Sequence, residues 1–146
     1  MTTNTKSVID TANDDELDEP KYAVYSKTWG PDFTGLSDSN ESDADFAGIL
    51  GEPITNITIG AKGIKKFRIR TKKKGKWHPY QNGFNKATAK SDDTAITGIE
   101  IVGKGYCFAV HIKGGTWLPT AFTSDVDGEV LVGSGSPIDA IWIEKL

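Results

Sequence analysis

The sequence predicts an all-β protein with pseudo-threefold symmetry, a β-trefoil in the first instance and a β-prism as the alternative, and three recurring markers carry that prediction. The first is an isoleucine motif, present as Ile54-Thr55-Asn56-Ile57-Thr58-Ile59, Ile96-Thr97-Gly98-Ile99-Glu100-Ile101 and Ile138-Asp139-Ala140-Ile141-Trp142-Ile143, with successive copies 42 residues apart. The second is Trp-x-Pro, at Trp29-Gly30-Pro31, Trp77-His78-Pro79 and Trp117-Leu118-Pro119. The third is an aromatic-x-aliphatic triplet, Tyr22-Ala23-Val24, Phe67-Arg68-Ile69 and Phe108-Ala109-Val110. The markers keep one order, so the repeats run over about 21–63, 64–105 and 106–146.

Each unit begins with a short alternating segment, clearest in Phe67-Arg68-Ile69-Arg70 and Phe108-Ala109-Val110-His111-Ile112, as expected of a half-buried strand. Turn-forming residues follow, Lys74-Gly75-Lys76 and Lys113-Gly114-Gly115, and the chain resumes at Trp77 or Trp117, the spacing of a β-hairpin. Proline lacks the N–H that a ladder needs, so Trp-x-Pro belongs at an edge or at the end of a strand. A fourth short strand is expected before each isoleucine motif, at Leu50, at 91–93 and at 130–132.

In the isoleucine motif the apolar residues fall at i, i+3 and i+5, which is neither helical nor alternating. A bend or bulge at Asn56, Gly98 and Ala140 turns all three isoleucines of a copy toward the core. Nine such side chains, at roughly 1.5–3 kcal/mol for each one fully buried, then supply much of the stability. A repeat this short cannot bury its apolar face alone; three copies closing on one another can.

The first twenty residues carry six acidic side chains against Lys6 and no aromatic, so 1–20 is expected to be a disordered acidic tail and 21–146 a single β domain. The whole chain has a net charge of −3, but the body holds 16 basic and 14 acidic residues and is net +2. Its basic residues are concentrated in 62–76, where Lys62, Lys65, Lys66, Arg68, Arg70, Lys72, Lys73, Lys74 and Lys76 occur with no carboxylate. Cys107 is the one cysteine, so the chain forms no intrachain disulfide. The start Met-Thr-Thr-Asn-Thr-Lys lacks a basic segment followed by an apolar run and no apolar stretch approaches membrane-spanning length, so neither a signal peptide nor a membrane partner is expected; a nucleic acid is not the expected partner either.

The segment Asp45-Phe46-Ala47-Gly48-Ile49-Leu50-Gly51-Glu52-Pro53-Ile54-Thr55-Asn56-Ile57-Thr58-Ile59, with Trp117-Leu118-Pro119 and Pro137-Ile138-Asp139-Ala140-Ile141, resembles a known repeat class. It is similar to the tryptophan-containing repeats of clostridial and phage muramidases and amidases, and more distantly to the clostridial hydrophobic repeat. That resemblance implies a bacterial, noncatalytic module that binds cell-wall or other extracellular polymers, located outside the cell or on its surface.

Candidate ligand residues follow from stacking chemistry, since an exposed indole packs on the C–H face of a pyranose. Trp29, Trp77 and Trp117 are the stacking candidates; the alternative is that they fill the core near the hairpins. Asp32, His78, Tyr80, Gln81, Asn82 and Thr120 are the neighbouring polar groups, and loops 38–45, 85–93 and 123–129 offer a second location. The carboxylates Asp43, Asp45, Asp92, Asp93, Asp125, Asp127 and Glu129 in those loops lack the full ligand series of a calcium loop, so neither a metal nor another cofactor is expected.

Clustered cations can gain affinity for a polyanion by counterion release. Lys65, Lys66, Arg68, Arg70, Lys72, Lys73, Lys74 and Lys76 are the candidates, with Arg68 and Arg70 on one strand face as a ladder. Two histidines, one cysteine flanked by Tyr106 and Phe108, and no nucleophile or metal motif argue against an enzyme. The sequence thus points to a lectin-like module with a glycan or cell-wall polymer as partner. The alternatives are a protein-binding module, such as a trefoil-type inhibitor or toxin accessory protein, and a polyanion binder through 62–76.

Overall fold

The computed structural model describes residues 20–26, 28–30, 46–73, 75–84 and 94–146, and of 28–30 the backbone only. The expected tail 1–20 lies outside these residues apart from Pro20, as do Asp32, Lys74, Asp43, Asp45, Asp92 and Asp93. The described residues form strands and turns with no helix, and the strands are β1 Lys21–Ser26, β2 Thr28–Gly30, β3 Ala47–Gly48, β4 Asn56–Gly60, β5 Ile64–Thr71, β6 Ile96–Gly103, β7 Tyr106–Ile112, β8 Ala121–Phe122, β9 Leu131–Val132 and β10 Ile138–Lys145. They pair antiparallel in three sheets, ordered β2-β1-β4, β5-β6-β9 and β3-β10-β7-β8.

The same pairing recurs in each sheet. The aromatic strand of a repeat lies beside that repeat's isoleucine strand, so that Val24 faces Ile57, Ile69 faces Ile99 and Val110 faces Ile141. On its other side the aromatic strand takes the Trp-x-Pro arm, with Tyr25 opposite Trp29, Arg70 opposite Trp77 and His111 opposite Trp117. Pairing resumes beyond the proline, where Gln81 meets Phe67 and Ala121 meets Phe108, so Pro79 and Pro119 interrupt the arm without ending it.

All nine motif isoleucines are buried, and with Tyr22, Val24, Phe67, Ile69, Phe108 and Val110 they form one core drawn from the three repeats. The expected irregularity is present in two copies, between Ile138 and Ala140 and opposite the Arg70–Thr71 step, one residue earlier than the small side chain. Skipping one residue lets Ile138 and Ile141, or Ile96 and Ile99, point the same way although three positions apart. The first isoleucines also meet through their backbones: Ile54 N–H donates to Ile138 O and Ile96 N–H to Ile54 O, each at 2.9 Å.

Two of the short strands, β3 and β9, do not join their own repeats. Ala47 of β3, in the first repeat, pairs with Ile141 in the third, and Val132 of β9, in the third, pairs with Ile99 in the second. The strand expected at Leu50 instead lies at Ala47–Gly48, leaving Leu50 exposed in the following turn. The corresponding part of the middle repeat, 91–93, lies outside the described residues.

Close approach of backbones imposes glycine where each exchanged strand ends. A Cβ on Gly48 (φ 121°) would sit 2.2 Å from Asp139 O, and one on Gly133 (φ 149°) 2.2 Å from Thr97 O. No L side chain fits such a contact or adopts such a φ without strain.

Candidate functional site

Alternation along β5 sends Phe67 and Ile69 into the core and Lys66, Arg68 and Arg70 to the outer face of the middle sheet. The Trp77 arm runs antiparallel to β5, so the residue opposite Arg70 shares its face; Trp77 is therefore outward and His78 inward. Trp77 and Trp117 are both partly exposed and stand outside the buried core, while the side chain of Trp29 lies outside the described residues.

His78 is the correction among the polar candidates. It is only 6% exposed, its Nε2 lies 3.0 Å from Thr71 Oγ1, and its N–H donates to Ile69 O. So buried a side chain offers a surface ligand little access. Asn82 and Thr120 are exposed, while Tyr80 and Gln81 are intermediate.

Glu100, which the sequence reading passed over, organises the middle sheet's outer face. It occupies the fifth position of the isoleucine motif, where the other copies carry Thr58 and Trp142, and it is 1% exposed. Arg68 Nε donates to its Oε1 at 2.6 Å and the Tyr80 hydroxyl donates to the same oxygen at 2.8 Å. Gly128 N–H, from the turn before β9, donates to Oε2 at 2.5 Å. A carboxylate so buried is tolerable because each oxygen is hydrogen-bonded and a guanidinium lies beside it.

The aromatic rings pack on the cations. The guanidinium carbon of Arg68 lies 4.5 Å from the Tyr80 ring centre and 4.9 Å from that of Trp77; Arg70 lies 5.1 Å from Trp77, and Lys66 Nζ 4.1 Å from Tyr80. Such contacts contribute roughly 0.5–1 kcal/mol each where solvent reaches them. Burial, followed by the hydrogen bond to Glu100 and its negative charge, pushes the Tyr80 hydroxyl up to about 12, with Arg68 pulling the other way. Gly98 is the floor of this arrangement, since a Cβ there would stand 3.2 Å from the Cη2 of Trp77.

Two candidate sets separated in the sequence, the stacking aromatics and the basic ladder, thus meet on one surface. The ladder is not uniform. Lys65 pairs with Asp125 at 3.5 Å, Lys66 with Asp127 at 2.8 Å and Arg68 with Glu100, whereas among the described residues no carboxylate pairs with Arg70, Lys72, Lys73 or Lys76. Lys72, Lys73 and Lys76 are exposed at the hairpin end. Asp125 also receives Lys104 at 3.2 Å, and Glu129 accepts from Ser124 Oγ, so these loop carboxylates are engaged within the protein.

The sheet of β7 and β10 carries a different outer face. Trp117 makes T-shaped contacts with His111, at 5.2 Å between ring centres and 72°, and with Phe46, at 5.5 Å and 63°. Asp139, fully buried, lies with Oδ1 2.7 Å from His111 Nδ1 and accepts the Gly51 N–H on Oδ2 at 2.6 Å. Cys107 is buried on β7, and that burial, with the nearby charge of Glu144, raises its thiol pKa and disfavours the thiolate. Compared with protein-family models, with curated proteins and with solved structures, the chain matches none.

Proposed function

We propose that this chain is a noncatalytic module that binds carbohydrate or cell-wall polymer, with a β-prism architecture rather than a β-trefoil. Three separate sheets, each built on one repeat and extended in two cases by a strand from another, support the prism. The reading of function rests chiefly on the partly exposed Trp77 and Tyr80, both in contact with Arg68 on the outer face of the middle sheet. Aromatic faces with adjacent donors are what a sugar ring uses, through C–H packing on the indole and hydroxyl hydrogen bonds around it.

Co-sedimentation with purified peptidoglycan and binding to a glycan array test this reading. Retention of the wild-type protein, lost in Trp77→Ala, is the expected result; no retention on wall material and no glycan above background rejects it.

A protein-binding reading draws on a specific feature, the exposed Phe122 and Leu131 on either side of the 123–130 turn and Val126 within it. Retention on wall material that persists in Trp77→Ala but is lost in Phe122→Ser with Leu131→Ser favours a protein component of the wall as the partner.

A further inference from the structure

Resting on the carbohydrate reading, we propose that the middle sheet carries a single subsite for an acidic sugar, a pyranose bearing a carboxylate, with its ring on Trp77 and its carboxylate on Arg70. The division of charge on β5 is the first ground. Arg68 is neutralised by a buried glutamate, Lys66 pairs with Asp127, and Lys65 shares Asp125 with Lys104. An incoming anion gains little from Arg68, because it would compete with a buried carboxylate already in place, and at Lys65 and Lys66 it meets a neighbouring aspartate. Arg70 differs: its guanidinium lies against the indole, and among the described residues it has no ion pair.

The second ground is the seating of the indole. Trp77 extends from the edge arm across Arg70 to Gly98, where any side chain would crowd it, so the ring is held against the sheet. Arg68, Tyr80 and Glu100 are tied to one another by hydrogen bonds and ring contacts and hold the neighbouring surface in place. An aromatic platform that is ordered before the ligand arrives costs less entropy on binding. A neutral sugar can use this platform but leaves Arg70 unanswered; a free anion can answer Arg70 but leaves the platform unused. A ring that carries a carboxylate uses both, and the planar guanidinium suits a carboxylate through two parallel hydrogen bonds.

The third ground concerns number. At the matching place on the β7–β10 sheet His111 stands where Arg70 does, hydrogen-bonded to Asp139, and Trp117 is held in T-shaped ring contacts. On the sheet of β1 the matching residue is Tyr25. Arg70 is the one arginine among the three equivalent positions, so the chain holds one such subsite.

Isothermal titration with trigalacturonate, isomaltotriose and short-chain polyphosphate separates ring from charge. Trigalacturonate is expected to bind at one per chain, with affinity falling about tenfold or more in Trp77→Ala and in Arg70→Gln, since each loss removes a contact of the order that a tenfold change represents. Trp77→Phe, which keeps a ring, is expected to recover part of the affinity and guards against misfolding of the alanine variant. Lys104→Gln removes the same unit charge elsewhere and is expected to leave binding within about twofold.

Equal affinity for isomaltotriose, or polyphosphate binding as tight as trigalacturonate and insensitive to Trp77→Ala, overturns the inference. Absence of trigalacturonate binding while retention on wall material still depends on Trp77 overturns the acidic-sugar assignment alone. Absence of both rejects the carbohydrate reading as well.

Discussion

Trp77 and Trp117 occupy the same place in two repeats, each opposite the outward residue of an aromatic strand, yet they sit in unlike surroundings. Trp77 is packed by guanidinium groups over a glycine, with a buried glutamate holding the array together. Trp117 is packed in T-shaped contacts with a histidine and a phenylalanine, with a buried aspartate bonded to that histidine. Repetition supplied the frame and the indole; the strand residues on either side decide what the indole can meet.

The largest separation between the two faces is expected from their buried carboxylates. Glu100→Ala strands Arg68, Tyr80 and the Gly128 amide together and is expected to cost about 3–5 kcal/mol, the range for breaking a buried ion pair. Asp139→Ala strands a histidine and one amide and is expected to cost about 1–3 kcal/mol. Urea denaturation of both variants measures the difference, and equal losses would mean that the guanidinium does not distinguish the faces.

Next come the indoles themselves. Trp117→Ala removes a ring fitted between Phe46 and His111 and is expected to lose about 2–3 kcal/mol of stability, below the full value for a buried aromatic because Trp117 is partly exposed. It should leave ligand retention unchanged, the reverse of Trp77→Ala.

A smaller effect is expected at the floor beneath the rings, where the middle copy has Gly98 and the third has Ala140. Gly98→Ala crowds the Trp77 indole and is expected to cost about 1 kcal/mol and to shift its fluorescence, as overpacking does. An unchanged spectrum would show that the indole does not need that space.

Alkaline titration followed by tyrosinate absorbance reads the Glu100 network with little effect near neutrality. Tyr80 is expected to ionise near 12 rather than at its ordinary 10.0, because burial and Glu100 favour the protonated hydroxyl. The folded pKa lies above the unfolded one, so this contribution to stability is complete below pH 10 and is lost as pH rises toward about 12. In Glu100→Gln the transition should move back toward 10; a Tyr80 that titrates with the other tyrosines in the parent protein refutes the network.

Lys65→Gln breaks only an exposed pair with Asp125 and is expected to change stability by no more than about 0.5 kcal/mol. A larger loss would show that the paired half of the ladder matters to the fold after all.

The core was legible because its residues repeat: spacing alone picks out the nine isoleucines, and the i, i+3, i+5 pattern demands the bulge that two copies display. The exchanged strands were not, because Ala47 and Ile141 are linked by nothing local, and two-residue strands carry no periodicity. His78 was misplaced for want of one step, counting alternation outward from the Arg70–Trp77 pair. Glu100 did leave a trace, a lone charge between Ile99 and Ile101, but its partners come from three separate segments, β5, the Trp77 arm and the turn before β9.

The strands that cross between repeats bear on how such a chain can be divided. A peptide holding only the first or only the third repeat would carry a short strand with nowhere to pair. Among the described residues the first repeat lends a strand to the third and the third lends one to the second, with Gly48 and Gly133 marking where each loaned strand presses on the backbone that receives it. Tandem fusion makes both exchanges internal, so removing the third repeat would take away the acceptor of one loaned strand and the donor of the other.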